Sequence, residues 1–310
     1  MAPVIIFGPT GNIGSVAART AADQGAEVVL AMRDTSKAIP GLSKADEDAG
    51  AYKRVQADLT DPKSVEHAVR TSGAKRAFVY LAFGSSDHMK SVFQAMKAAG
   101  VEFVVFLSSF TIAERKLEDI PPEDIIPFVH AQGELSLHGV FGADRFVAVR
   151  PGGFITNLLR WKDGIAAGHV RLFGEHSEQD WITPGDMGRV SGTLLVSGPK
   201  NDQRHVYLYG PQVISQQDAC LKIGRALGKD VQITPLDAEG GIEVFTKTGM
   251  PKPLAEYLVR ATEKSKSMDR GARLARYDEG VANVKLYTGK EATSFDEWVK
   301  ENKGLFSGAQ

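Results

Sequence analysis

Residues 1–14, MAPVIIFGPTGNIG, decide the fold: the apolar run Val4 to Phe7 is followed at once by Gly8, Gly11 and Gly14. Four apolar residues running into glycine read as a buried strand that ends in a turn. The next stretch, SVAARTAADQG, is alanine-rich and free of proline, and Ile13, Val16, Ala17 and Thr20 stand at helical spacing. The order is therefore strand, glycine turn, helix. Gly8 permits the sharp turn, Gly11 lets the backbone approach a bound group, and Gly14 lets helix and strand pack closely. Thr10, Asn12 and Ile13 complete the turn. The unpaired N–H groups that open the helix point at an anion, and a dinucleotide pyrophosphate is the expected ligand. A tight turn without a ligand is the alternative.

A chain of 310 residues is long enough for a core domain with a smaller appended one. The expected architecture is a Rossmann-type doubly wound parallel sheet over residues 1–152, with parts of 180–210 returning to it, and a smaller α+β substrate-binding lobe within 153–310. The formal net charge is −1, and no basic stripe is interleaved with aromatics, so nucleic acid is not expected as a direct partner. The single cysteine, Cys220, excludes an intrachain disulfide framework and a cysteine-rich zinc centre. No metal is expected. The first apolar run is too short for a signal peptide or a membrane span. These features describe a cytoplasmic protein acting on small molecules, with a homodimer left open.

Further strands follow at regular intervals. AEVVLAMR is a second strand ending at Arg33, where a dinucleotide's adenosine ribose is read. A carboxylate there accepts from a 2′-hydroxyl, whereas arginine favours a 2′-phosphate. Arg33, followed by Asp34, Ser36 and Lys37, reads as NADP(H), with Arg33 and Lys37 on the phosphate; loop charges in water are the alternative. After a polar loop from Pro40 to Gly50, a third strand ends at Asp58 and Leu59. Thr60 or Asp61, before Pro62, is the better cap for the next helix, which leaves Asp58 for a ligand. The fourth strand ends at Ala82, Phe83 and Gly84, flat or small residues suited to a dinucleotide lying across strand ends. The fifth, VEFVVFLSSF, ends in Ser108, Ser109, Phe110 and Thr111. Hydroxyls there face a nicotinamide or satisfy loose backbone groups. Ala113 to Pro127, with three prolines and many charges, reads as a flexible flap over the site.

The Gly-x-x-Gly-x-x-Gly turn FGPTGNIG, Arg33, Asp58, RPGGFITN at Arg150 to Asn157 and WITPGDMG at Trp181 to Gly188 together resemble the NmrA-like branch of the atypical short-chain dehydrogenases. The resemblance spans nearly the whole chain. It implies that Asp58 receives the adenine amino group and that Leu59 lines the base. It also implies that Pro151 and Gly152 bend over the cofactor, with Phe154 and Asn157 at the nicotinamide end, while the C-terminal lobe closes over a substrate. Asp186 reads as the cap of a helix from Met187 to Val196. Trp161, Phe173, Trp181, Phe245 and Tyr257 supply either core or the wall of an apolar pocket. The tail KENKGLFSGAQ reads as mobile.

Short-chain reductases carry Tyr-x-x-x-Lys on the helix after the fifth strand, the tyrosine as proton donor and the lysine on the nicotinamide ribose. In the family's wording those positions fall on Phe128 and Gln132. Phe128 has no proton to give, and Gln132 can hydrogen-bond a ribose but carries no charge. Another acid must serve a carbonyl acceptor, and Ser109, Thr111, Glu114 and His130 are the nearby candidates, although His130 is equally a helix-surface histidine without a role. An iminium carbon needs no such acid, because it already carries the charge that protonation would create. The resemblance thus implies an NADP(H)-dependent oxidoreductase for a bulky apolar metabolite. Imine or iminium reduction, or redox-assisted cyclisation in fungal-type alkaloid metabolism, fits that reading. The alternative is a non-catalytic NADP(H)-binding redox sensor or transcriptional co-regulator.

Overall fold

Strand β1 (Val4–Phe7) turns Ile5 and Phe7 to one side and Val4 and Ile6 to the other, and all four are buried. A strand apolar on both faces needs a layer over each. The computed structural model, which describes residues 2–266 and 276–307, supplies both. Beyond β1 and helix α1 (Asn12–Asp23) the chain runs through β2 (Val28–Met32), the short turn α2 (Lys44–Asp46), β3 (Tyr52–Gln56), α3 (Pro62–Ser72), β4 (Arg76–Tyr80), α4 (Lys90–Ala99), β5 (Phe103–Leu107), α5 (Ile125–Phe141) and β6 (Phe146–Pro151). It then leaves the sheet for α6 (Lys162–Ala167), β7 (His169–Phe173), β8 (Glu178–Gln179) and α7 (Pro184–Ser197), and returns as β9 (His205–Leu208) beside β6.

The result is a seven-stranded parallel sheet in the order β3-β2-β1-β4-β5-β6-β9. This is the doubly wound Rossmann-type arrangement. Strand order reverses between β1 and β4, and a ligand crevice opens at the carboxyl ends of the strands there. Helices α3, α4 and α5 cover one face through Val69, Phe93 and Leu137; α1 and α7 cover the other through Ala17, Ala21 and Val190. Helix α7 lies close on α1 because it shows glycine to it. A Cβ on Gly188 would fall 2.5 Å from Val16 Cβ, and one on Gly192 2.6 Å from Ala17 O. The α7 cap differs from expectation: the helix starts at Pro184, Thr183 caps it, and the buried Asp186 accepts from the Thr183 hydroxyl at 2.7 Å and from Thr293 N at 3.0 Å. Proline at the first helical position fixes that earlier start.

A second core forms beyond β6. Parallel to β7 runs β11 (Gln232–Leu236), and antiparallel to β8 runs β10 (Ile214–Ser215). Around them pack α8 (Gln216–Ala226), α9 (Ala238–Lys247), α10 (Lys252–Lys266) and the helix Phe295–Asn302. Trp161, Phe173, Trp181 and Phe245 belong to this core, as does the fully buried Cys220, whose thiol burial pushes up to about 12. The tail is docked as far as Phe306, whose buried ring meets Trp298 edge-on at 6.2 Å; residues 308–310 lie outside the described residues. The flap too is held, with Ile112 and Ile120 buried against Ala131 and Arg115 paired with Asp124 at 2.7 Å. Among the described residues no helix is long and apolar enough to cross a membrane.

Candidate active site

Gly8 ends β1 with φ +72°, a conformation that glycine adopts without strain. The chain folds back so tightly that a Cβ on Gly14 would lie 2.3 Å from Gly8 O. Gly11 occupies the N-cap and brings no side chain to the first turn of α1, which also lacks any acidic residue. Gly11 and Asn12 are exposed, with Thr10 and Ile13 half-buried beside them. This is a backbone cradle with open N–H groups at the positive end of a helix dipole, and it fits a pyrophosphate.

At the end of β2, Arg33 and Lys37 are exposed. Asp34 closes its own turn: Oδ1 accepts from Ser36 N at 2.9 Å and from Ser36 Oγ at 2.6 Å, and these bonds hold its carboxyl below the usual range. The two cations thus face solvent with Asp34 turned to Ser36. Asp61 caps α3, as one of the two sequence candidates, but Asp58 is only partly free. Its Oδ1 accepts from Thr60 N at 2.9 Å and Thr60 Oγ1 at 2.7 Å, which leaves Oδ2 for a ligand. Leu59 departs from expectation, since its side chain sits in the core under α3 rather than in the crevice. Ala82 is half-buried at the end of β4, and Phe83, 65% exposed, meets His130 edge-on at 6.3 Å.

Ser108 is the clearest correction at the strand ends. It is buried, and its hydroxyl donates to Glu134 Oε1 at 2.5 Å instead of facing the crevice. Glu134 in turn takes Arg150 bidentately, Nε at 3.0 Å and Nη2 at 2.6 Å, while Arg150 Nη1 donates to Tyr207 Oη at 2.9 Å. This buried network ties β5, α5, β6 and β9 together, and nothing local in the sequence announced it. It also sets the rotation of α5. Glu134 and His130, four residues apart, share the face turned to the strand ends. Gln132 stands two residues from each, about 200° around the helix from either, so His130 rather than Gln132 holds the position facing the crevice. Phe128 packs beside Ile112 and Ile120 and meets His88 edge-on at 5.6 Å. His130 is half-buried, not a helix-surface residue; its Nδ1 has no hydrogen-bond partner, and burial holds its pKa down to about 4. The imidazole is therefore neutral at physiological pH, with its unpartnered Nδ1 shielded from solvent.

Beyond β5 opens a cavity of about 650 Å³ walled by Phe110, Tyr209 and Tyr257. Thr111 lines it and exchanges a hydrogen bond with Ser109 Oγ at 3.0 Å. Glu114, at the rim, is held by Arg276 at 2.5 Å. Pro151 and Gly152 are buried, and a Cβ on Gly152 would strike Asp180 Oδ1 at 2.3 Å. Phe154 packs toward the core under α1 and α7, and Asn157 is exposed, so neither lines this cavity. Asp180, which sequence reasoning passed over, does line it. The residue is 4% exposed, and its carboxylate accepts from Gly153 N at 2.8 Å and Gly210 N at 3.2 Å. Burial pushes its pKa up to about 6.

Residues 8–135 match a family of NAD(P)H-binding domains. The whole chain is 35% identical over 318 residues to a nitrogen metabolite regulation-like protein of Gibberella fujikuroi, an alignment covering 96% of this chain and 95% of the relative. A (4-alkanoyl-5-oxo-2,5-dihydrofuran-3-yl)methyl phosphate reductase of Streptomyces griseus is 25% identical over 305 residues, 98% of this chain and 99% of its own. Among solved structures, the triphenylmethane reductase of Citrobacter sp. superposes with a TM-score of 0.73 at 16% identity, over 97% of this chain and 99% of the other. At that identity the likeness concerns the fold.

Proposed function

The chain belongs to the NmrA-like family of NAD(P)H-binding proteins, and from that premise we propose that it is an NADP(H)-dependent oxidoreductase reducing a bulky, mostly apolar acceptor. The observation that carries the reading is the aromatic-walled cavity of about 650 Å³ beside the carboxyl ends of the parallel strands. The glycine turn holds the pyrophosphate, and Arg33 and Lys37 hold the 2′-phosphate by charge-assisted contact. Asp58, through Oδ2, takes the adenine amino group. Bound NADPH supplies a hydride. Phe110, Tyr209 and Tyr257 exclude water and orient the acceptor by shape. A cationic C=N acceptor, as in alkaloid-type metabolites, needs nothing more, and a cyclisation assisted by the bound cofactor is within the same reach. That the Streptomyces relative and the Citrobacter neighbour are named as reductases of unlike acceptors supports reduction as the chemistry and leaves the acceptor open.

The test is NADPH oxidation by the purified chain across iminium, imine, enone, quinone and ketone acceptors of bulky apolar scaffold. Turnover of at least one is expected, with Arg33→Ala weakening NADPH by about tenfold or more and NADH by less than about twofold. Tight NADPH binding without oxidation in any arm overturns the enzyme and favours a second reading, a redox sensor or co-regulator. That second reading has its own support in Phe128, where a proton-donating tyrosine is absent, and in the regulatory name of the Gibberella relative.

A further inference from the structure

Reducing a carbonyl takes a proton as well as a hydride, and α5 presents no tyrosine at Phe128. The carboxyl groups on the cavity wall are the remaining acids. Glu114 is clamped by Arg276 at 2.5 Å and Asp124 by Arg115 at 2.7 Å, so each is already committed to a cation. Glu178 is half-buried and likewise engaged. Asp180 differs from these. Its partners are backbone N–H groups, Gly153 at 2.8 Å and Gly210 at 3.2 Å, and among the described residues no lysine, arginine or histidine pairs with it.

We propose that Asp180 is a catalytic proton donor, its carboxyl protonating the oxygen of a carbonyl acceptor lodged in the cavity against the packed rings of Phe110 and Tyr209. The assignment rests on the reductase reading. Its place follows from Gly152, whose missing side chain lets the carboxyl lie directly under the turn that ends β6. Burial keeps a proton on it up to about pH 6, whereas burial drives the Tyr209 and Tyr257 hydroxyls upward, the latter to about 12. Around it stand Tyr209 beside the carboxyl, Glu178 on β8 just before it, and Arg260 and Lys264 from α10. In the step, the carbonyl carbon gains the hydride that NADPH supplies and the π pair moves to oxygen. The Asp180 O–H bond breaks as the alcohol O–H forms. The carboxylate regains a proton from water, so the acceptor gains two hydrogens and the cofactor ends as NADP+.

Two acceptors of one scaffold, an aryl ketone and the matching preformed N-alkyl iminium salt, separate this from a merely structural clamp. In the wild-type chain, ketone turnover is expected to fall about tenfold per pH unit above about 6 while iminium turnover stays flat. Asp180→Asn is expected to lower kcat/KM for the ketone by roughly a hundredfold and for the iminium by less than about threefold. Equal losses on both acceptors, a flat ketone profile, or reduction of the iminium alone overturns the assignment and leaves Asp180 as a clamp. The pH comparison needs no variant, so a misfolded Asp180→Asn cannot rescue the idea. A wild-type chain that binds NADPH and reduces neither acceptor overturns the reductase reading itself, and the assignment falls with it.

Discussion

Burial moves His130 and Asp180 past each other on the pH scale, the imidazole from 6.5 down to about 4 and the carboxyl from 3.8 up to about 6. Between about pH 4 and 6.5 the unfolded chain binds the His130 proton and the folded chain refuses it, so this group's stability is present above 6.5 and lost as pH falls. Asp180 works in the opposite sense. The folded chain holds its proton between 3.8 and about 6 where the unfolded chain releases it, so stability falls as pH rises through that window. Each contributes about 3 kcal/mol, and the two nearly cancel. Relative to wild type, Asp180→Asn is therefore expected to gain a rising stability slope between about pH 4 and 6, and His130→Phe a falling one, read by urea unfolding at a series of pH values. A pair of variants with parallel slopes would refute the opposition. Neither group's environment was visible in the sequence. His130 is defined by Phe83 in the turn after β4, and Asp180 by turns whose donor glycines lie 27 and 30 residues away.

Local pattern and distant partner divide the element scale in the same way. The strand, glycine turn and first helix were legible because adjacent residues fix all three: the apolar run, the positive φ at Gly8 and the alanine-rich face of α1. The rotation of α5 was not. It depends on Arg150, 16 residues beyond Glu134, and on Tyr207, 57 residues beyond Arg150. Misreading that rotation by two residues moved the crevice position from His130 to Gln132. Two glycines on different helices make the contrast testable. Gly188→Ala puts a methyl 2.5 Å from Val16 Cβ and 2.8 Å from Ile13 O, so α1 must shift at its phosphate-binding end. A loss of about 1–3 kcal/mol is expected by chemical denaturation, together with weaker NADPH binding by titration. Gly139→Ala on α5 meets nothing within 4 Å and is expected to stabilise by up to about 1 kcal/mol with cofactor binding unchanged.

Across the whole molecule, the flap and the C-terminal helices meet over the cavity through Arg276 on Glu114 and Arg260 Nη2 on Glu123 O at 3.0 Å. The Arg276 pair is about half-exposed, so its worth to stability is at most about 1 kcal/mol. Arg276→Ala is thus expected to leave thermal unfolding nearly unchanged and to raise KM for a bulky acceptor severalfold; an equal effect on a small acceptor would count against a role in covering the cavity. Cys220 bears on the same scale. It is the chain's single thiol, it lies wholly within the second core, and burial makes it unreactive as long as that core is closed. Alkylation can therefore proceed only through transient opening, and its rate is a clock for the breathing of that half of the molecule. The parallel sheet, which carries no cysteine, is silent in the same assay. If NADPH bound at the sheet slows alkylation in proportion to its occupancy, the two cores open as one unit; if the rate ignores NADPH, the substrate side breathes by itself and acceptors enter without the cofactor leaving.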